Sequence, residues 1–133
     1  MANRLLHPQE VEVFYILPTL RKYFAISLKE KGLMQKQIAE LLDVEGATVS
    51  QYVNKKRANK IKFDSHVLEK IKDSASRITD KFSLLRETQN LLRYIRQSNA
   101  LCAVHRQLSN LPETCTPESI GCNVGGELCG TRN

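Results

Sequence analysis

Four cysteines, Cys102, Cys115, Cys122 and Cys129, fall within the last 32 positions of the chain, separated by twelve, six and six residues. Four thiolates can enclose one zinc ion tetrahedrally, or hold an iron–sulfur cluster whose irons each take one thiolate. A disulfide or reactive-thiol switch and idle free cysteines are the other outcomes open to these residue types. The paired C-x2-C knuckles that mark structural zinc are absent. His105 follows Cys102 by one helical turn, so it could serve as a fourth ligand if one cysteine is spare; otherwise it is a surface histidine at a helix end. His7 and His66 have no partner at ligand spacing.

A different chemistry runs through QKQIAELLDVEGATVSQYVNKKR, from Gln35 to Arg57. Ala47, Ser50, Gln51 and Asn54 recur at i, i+3, i+4 and i+7, which places small, hydroxyl and amide side chains on one helical face. Gln and Asn can bond an adenine edge with donor and acceptor together. Lys55, Lys56, Arg57, Lys60 and Lys62 follow with no acidic residue before Asp64, a local charge of plus five suited to phosphate oxygens. Base edges and a phosphate backbone side by side describe double-stranded DNA.

Those side chains need a scaffold. Ile38, Ala39, Leu41 and Leu42 recur at helical spacing, and Asp43 to Gly46 break the pattern. Val49, Tyr52 and Val53 then form the inward face of a second helix, and Ile38, Leu42, Val44 and Val49 would close a miniature core beneath the crossing at Ala39. A helix, a tight turn and a second helix that can lie in a major groove are the expected architecture.

IAELLDVEGATVSQYVNKKRA, Ile38 to Ala58, resembles the lambda-repressor-like helix-turn-helix, and most closely the archaeal predicted transcriptional regulators of that type. The preceding VFYILPTLRKYFAISLKEKGLMQ looks like that family's long leading helix. The resemblance implies a phosphate contact for Gln35, base contacts for Ala47, Ser50, Gln51 and Asn54, and backbone anchoring by Lys55, Lys56 and Arg57. This chain departs from the family at two places. Asp43 stands where the family has its turn glycine, and Asn54, Lys55, Lys56, Arg57, Ala58 replace Ser-Gly-Lys-Arg-Gly, which implies a different loop shape. The cysteine segment resembles, in style only, the cysteine loops of cluster-binding bacterial regulators.

The remaining chain reads as helix to about residue 110. Pro8 suits a first turn, Pro18 marks a kink or a second start, and Lys31 with Gly32 provides a stop. Asp64 or Ser65 can cap a further helix carrying Leu68, Ile71, Ala75, Ile78, Phe82 and Leu85 as an a/d seam, extended by Leu91, Leu92, Ile95, Leu101 and Val104, with Ser74 to Thr79 a point of interruption. Such a seam can pack inside one chain or between two; a second copy is the favoured partner, because one reading helix covers few base pairs and a twofold pair covers two half-sites.

The fold expected is therefore all-α, with a helix-turn-helix domain over residues 1–63, a helical dimerisation region over 64–110, and an irregular tail over 111–133 that works with Cys102. The net charge of +6 is uneven: residues 1–106 hold 19 basic and 11 acidic groups, residues 107–133 one and three. The tail is thus not the part that grips nucleic acid. Neither a run of eighteen apolar residues nor a secretory leader is present, which points to the cytoplasm and away from membranes. The reading is a homodimeric DNA-binding regulator that senses redox state, iron or oxygen through an iron–sulfur cluster, 4Fe-4S in type, with zinc or a thiol switch as alternatives. An enzyme is not expected, since His105, Glu113 and Glu118 are all the tail offers for acid–base work. A protein-binding helical adaptor is the competing class.

Overall fold

The computed structural model describes residues 5–109, and these are helical with no strand. Pro8–Val11 (α1), a π-helical turn Glu12–Ile16 and Leu17–Glu30 (α2) succeed one another, followed by Gln35–Leu42 (α3), Gly46–Val53 (α4), Ser65–Ala75 (α5), Lys81–Gln97 (α6) and Ala100–Leu108 (α7). Pro18 stands in the first turn of α2, so it marks a second start, although the backbone stays helical from the π turn into it. Proline lacks the N–H that a continuing helix would use, and the wide π turn just before it absorbs the mismatch. The Thr19 hydroxyl donates to the Tyr15 carbonyl at 2.7 Å, which occupies one backbone acceptor in the altered stretch.

One apolar core runs from Leu6 to Val104. It joins α2, which carries Leu20, Phe24 and Leu28, to Ile38 and Leu42 of α3, Val49 and Tyr52 of α4, Val67 and Ile71 of α5, and Leu91 and Ile95 of α6. This core passes through the expected 63/64 boundary. Of the expected seam, Ile71, Ala75 and Ile78 are buried within the chain, as are Leu91, Leu92, Ile95, Leu101 and Val104. Phe82 and Leu85 are not, at 79% and 55% exposure.

The long C-terminal helix expected from the seam is instead three helices. Its first break falls at Ser76 to Asp80, where Ile78 turns inward and the Asp80 carboxylate accepts from the Ser83 N–H at 2.8 Å to start α6. That bond, with Ser83, holds the Asp80 carboxyl below its usual pKa. The second break is Asn99, left-handed at φ 67°. Glu87 of α6 is buried against α5: burial pushes its carboxyl up, but hydrogen bonds from Arg77, Ser74 and Arg86 outweigh that and leave its pKa lowered. Arg96 of α6 clasps Glu12 with bonds of 3.0 and 3.1 Å, tying α6 to the π turn.

Three successive helices end in the same backbone device. After α2, Gly32 is left-handed at φ 101° and the Leu33 N–H bonds back to the Leu28 carbonyl. After α3, Asp43 takes φ 59° and the Val44 N–H bonds to Ala39. After α4, Lys55 takes φ 59° and the Lys56 N–H bonds to Gln51. Such caps satisfy orphan carbonyls, and glycine suits their left-handed residue best. Left-handed geometry costs a non-glycine residue roughly 1–2 kcal/mol. Burying Ile38, Leu42 and Val49 returns about 1.5–3 kcal/mol each, so packing decides the turn despite Asp43 and Lys55.

Candidate nucleic-acid interface

The α3–α4 pair has the miniature core its sequence demands. Ile38, Leu42, Val49 and Tyr52 are buried, while Ala39, Val44 and Val53 are partly buried against them. With that face inward, α4 turns its other side to solvent: Ala47, Gln51 and Asn54 are exposed and Ser50 is half-exposed. The four residues expected to meet bases thus share one accessible face. Asn54 and Ser50 are within a long hydrogen bond of 3.4 Å, which orders the pair along that face.

The basic segment starts where α4 stops. Lys55, Lys56, Arg57, Lys60 and Lys62 are exposed, while Ile61 and Phe63 enter the core and pin the segment down. Arg57 folds back so that its Nε donates to Gln51 Oε1 at 2.7 Å. That bond leaves the Gln51 Nε2 donors and one Oε1 lone pair for an outside partner. The cation expected to meet phosphate and the amide expected to meet a base are thereby coupled. Gln35, at the first position of α3, uses Nε2 to donate to the Gly46 carbonyl at 2.8 Å, so its side chain spans the two helices.

Two contributors escaped the reading of the sequence. Lys22 of α2 is buried, and its ammonium donates to Asn59 Oδ1 at 2.9 Å while lying 4.8 Å from the Tyr23 ring centroid. Asn59 Nδ2 in turn donates to the Lys55 carbonyl at 2.8 Å, which braces the loop from inside. Burial, and then repulsion from Lys55, lower the Lys22 pKa. The second contributor is Gln107 of α7, whose Oε1 accepts the Lys62 N–H at 3.0 Å and whose Nε2 donates to the Lys62 carbonyl at 2.9 Å. A buried lysine in a hydrophobic helix and a glutamine 45 residues downstream carry no local pattern that announces these contacts.

Of the cysteine set, Cys102 is half-buried on α7, and Cys115, Cys122 and Cys129 lie outside the described residues, as does the expectation of four-thiolate ligation. Among the described residues no group of three His, Cys, Asp or Glu side chains converges as metal ligands. His105 is not the surface histidine expected: it is buried, with Nε2 2.7 Å from the Leu6 carbonyl, because α7 packs its inner face on the segment entering α1. That contact commits Nε2 as a donor and leaves Nδ1 alone for any ligand role. No helix among the described residues is long and apolar enough to cross a membrane.

Comparison with protein-family models, with curated proteins and with solved structures finds no match to this chain.

Proposed function

We propose that the protein is a sequence-specific DNA-binding transcriptional regulator of the lambda-repressor-like helix-turn-helix type, acting as a homodimer on double-stranded DNA. The observation that carries this reading is the continuity of one exposed surface. The amide and hydroxyl face of α4 runs into five exposed cations, and Arg57 is bonded to Gln51 at their junction. Bases would be met by Ala47, Ser50, Gln51 and Asn54, and phosphates by Lys55, Lys56 and Arg57. Gln35 fixes α4 to α3 through one Nε2 N–H, and the second N–H of that amide would donate to the phosphate expected of it.

The homodimer part is supported by Phe82 and Leu85, the two seam residues that the intrachain core leaves exposed. They stand one turn apart on α6, and Leu85 lines a cleft of about 310 Å³ together with Leu17, Leu20, Leu41 and Leu84. The sensing part rests on ligand chemistry alone: Cys102, Cys115, Cys122 and Cys129 would hold an iron–sulfur cluster, with zinc or a thiol switch as the alternative.

The test is binding to duplex DNA at several salt concentrations. A regulator loses affinity steeply as salt rises, because displaced counterions drive phosphate contact. An adaptor whose basic segment is coincidental binds no duplex at any salt.

A further inference from the structure

We infer that α7 positions the basic segment, and that Gln107 is the residue through which the C-terminal part of the chain controls the grip on phosphate. The inference rests on the DNA-binding reading of that segment. Its starting point is the pairing of one side chain with one backbone unit. The Gln107 carboxamide accepts from the Lys62 N–H and donates to the Lys62 carbonyl, at 3.0 and 2.9 Å, as a neighbouring strand would. An amide closed in this way has one geometry, so Lys62 follows the rotation and translation of α7.

The helix itself is firmly seated. Leu101, Val104 and His105 are buried, His105 Nε2 meets the Leu6 carbonyl, and the Leu6 N–H donates to Ser109 Oγ at 3.1 Å. Residues 105, 107 and 109 therefore grasp two distant backbone segments, the entry to α1 and the end of the basic segment. From the other side, Lys22 holds Asn59, and Asn59 holds Lys55. The cations from Lys55 to Lys62 are thus suspended between α2 and α7. The α2 attachment starts from the buried Lys22 and ends on the exposed Asn59; the Gln107 attachment is exposed and joins the helix that leads into the cysteine-bearing segment. Whatever shifts the end of α7 moves Lys62 and alters how many cations reach phosphate together.

The experiment uses the full chain and a random-sequence duplex, with Gln107→Met and Gln107→Glu. Methionine keeps length and helix propensity and removes both bonds; glutamate restores only the acceptor for the Lys62 N–H. The Lys62 amide is expected to be protected from hydrogen exchange in the wild type, to lose protection in Gln107→Met, and to regain it in Gln107→Glu. Duplex affinity of Gln107→Met is expected to fall by about threefold to tenfold, the size of one net hydrogen bond, with a shallower salt dependence. Gln97→Ala, on the exposed end of α6, is expected to match the wild type in both readouts. A wild type that binds while Gln107→Met binds with equal affinity and salt dependence overturns the inference and spares the DNA-binding reading. Unchanged Lys62 exchange in Gln107→Met overturns it independently of DNA. A wild type that binds no duplex overturns the reading beneath it.

Discussion

Gln35 and Gly46 open consecutive helices, and the Gln35 Nε2 donates to the Gly46 carbonyl at 2.8 Å across the turn. A Cβ on residue 46 would lie 3.3 Å from that same nitrogen, so glycine here admits the bridge. The bond ties the start of α3 to the start of α4, the helix that carries Gln51.

Gly46→Ala and Gln35→Ala are expected to be non-additive. In the wild-type background Gly46→Ala crowds the amide and offsets its own gain in helix propensity, while Gln35→Ala costs about 1 kcal/mol of net hydrogen bonding. In the Gln35→Ala background the alanine meets no such neighbour, and Gly46→Ala is expected to stabilise. Urea unfolding of the four proteins reads the cycle; additive values would show that the bridge does not order the turn.

The left-handed residues at Lys55 and Ala58, with φ 59° and 63°, give a separable pair of effects. Glycine at either position is expected to raise stability by up to about 1 kcal/mol by removing the Cβ penalty. Ala58→Gly should leave duplex affinity within twofold of wild type or so, since no charge is lost. Lys55→Gly should raise the melting temperature and weaken binding together. A Lys55→Gly protein that binds as well as wild type would remove Lys55 from the phosphate contacts.

Lys22→Met tests the inner brace of the basic segment. The substitution relieves a desolvated ammonium and loses its bond to Asn59, so stability is expected to stay within about 1 kcal/mol of wild type. A truncation of comparable depth, Leu20→Ala, should cost about 2–5 kcal/mol. Duplex affinity of Lys22→Met is nonetheless expected to drop, because Asn59 loses its anchor. A drop in stability on the Leu20→Ala scale would mean Lys22 serves the fold and not the loop.

Acid should loosen the α5–α6 contact first. Glu87 and Asp80 both have lowered folded pKa values, so their stabilisation is complete above the unfolded carboxylate range, near about 4, and is lost as the pH falls through the lower folded values. Glu87→Gln is expected to flatten the acid limb of a stability–pH curve by lowering stability above pH ~5, while matching the wild type in strong acid where Glu87 is protonated. An acid limb unchanged by Glu87→Gln would assign the effect to Asp80 or other carboxylates.

How much of this was readable beforehand depends on whether a residue's role is local. The α3–turn–α4 pattern was legible because Ile38, Leu42, Val49 and Tyr52 are buried at the spacing that their sequence shows, and the caps at Gly32 and Asp64 lie where their residue types belong. The π turn before Pro18 was not, since a proline pattern does not say whether the chain kinks, stops or widens. The break at Ser76 to Asp80 overlaps the interruption expected at Ser74 to Thr79, whereas the break at Asn99 was not legible because Leu101 and Val104 continue the apolar spacing beyond it. Gln107 and Lys22 were invisible because their partners, Lys62 and Asn59, are 45 and 37 residues away. Their side chains are of types that usually sit in solvent.

In the proposed regulator the exposed face of α4 reads base sequence while the adjoining cations hold phosphate. The most direct measurement of this is the ratio of affinities for a selected duplex and a random duplex, taken across salt for the wild type and Gln51→Ala/Asn54→Ala. The double variant is expected to lose the preference, at about 1–3 kcal/mol per lost base contact, while retaining weak, salt-sensitive binding to both duplexes. An unchanged ratio in the double variant, or no duplex binding by the wild type at low salt, would contradict this reading.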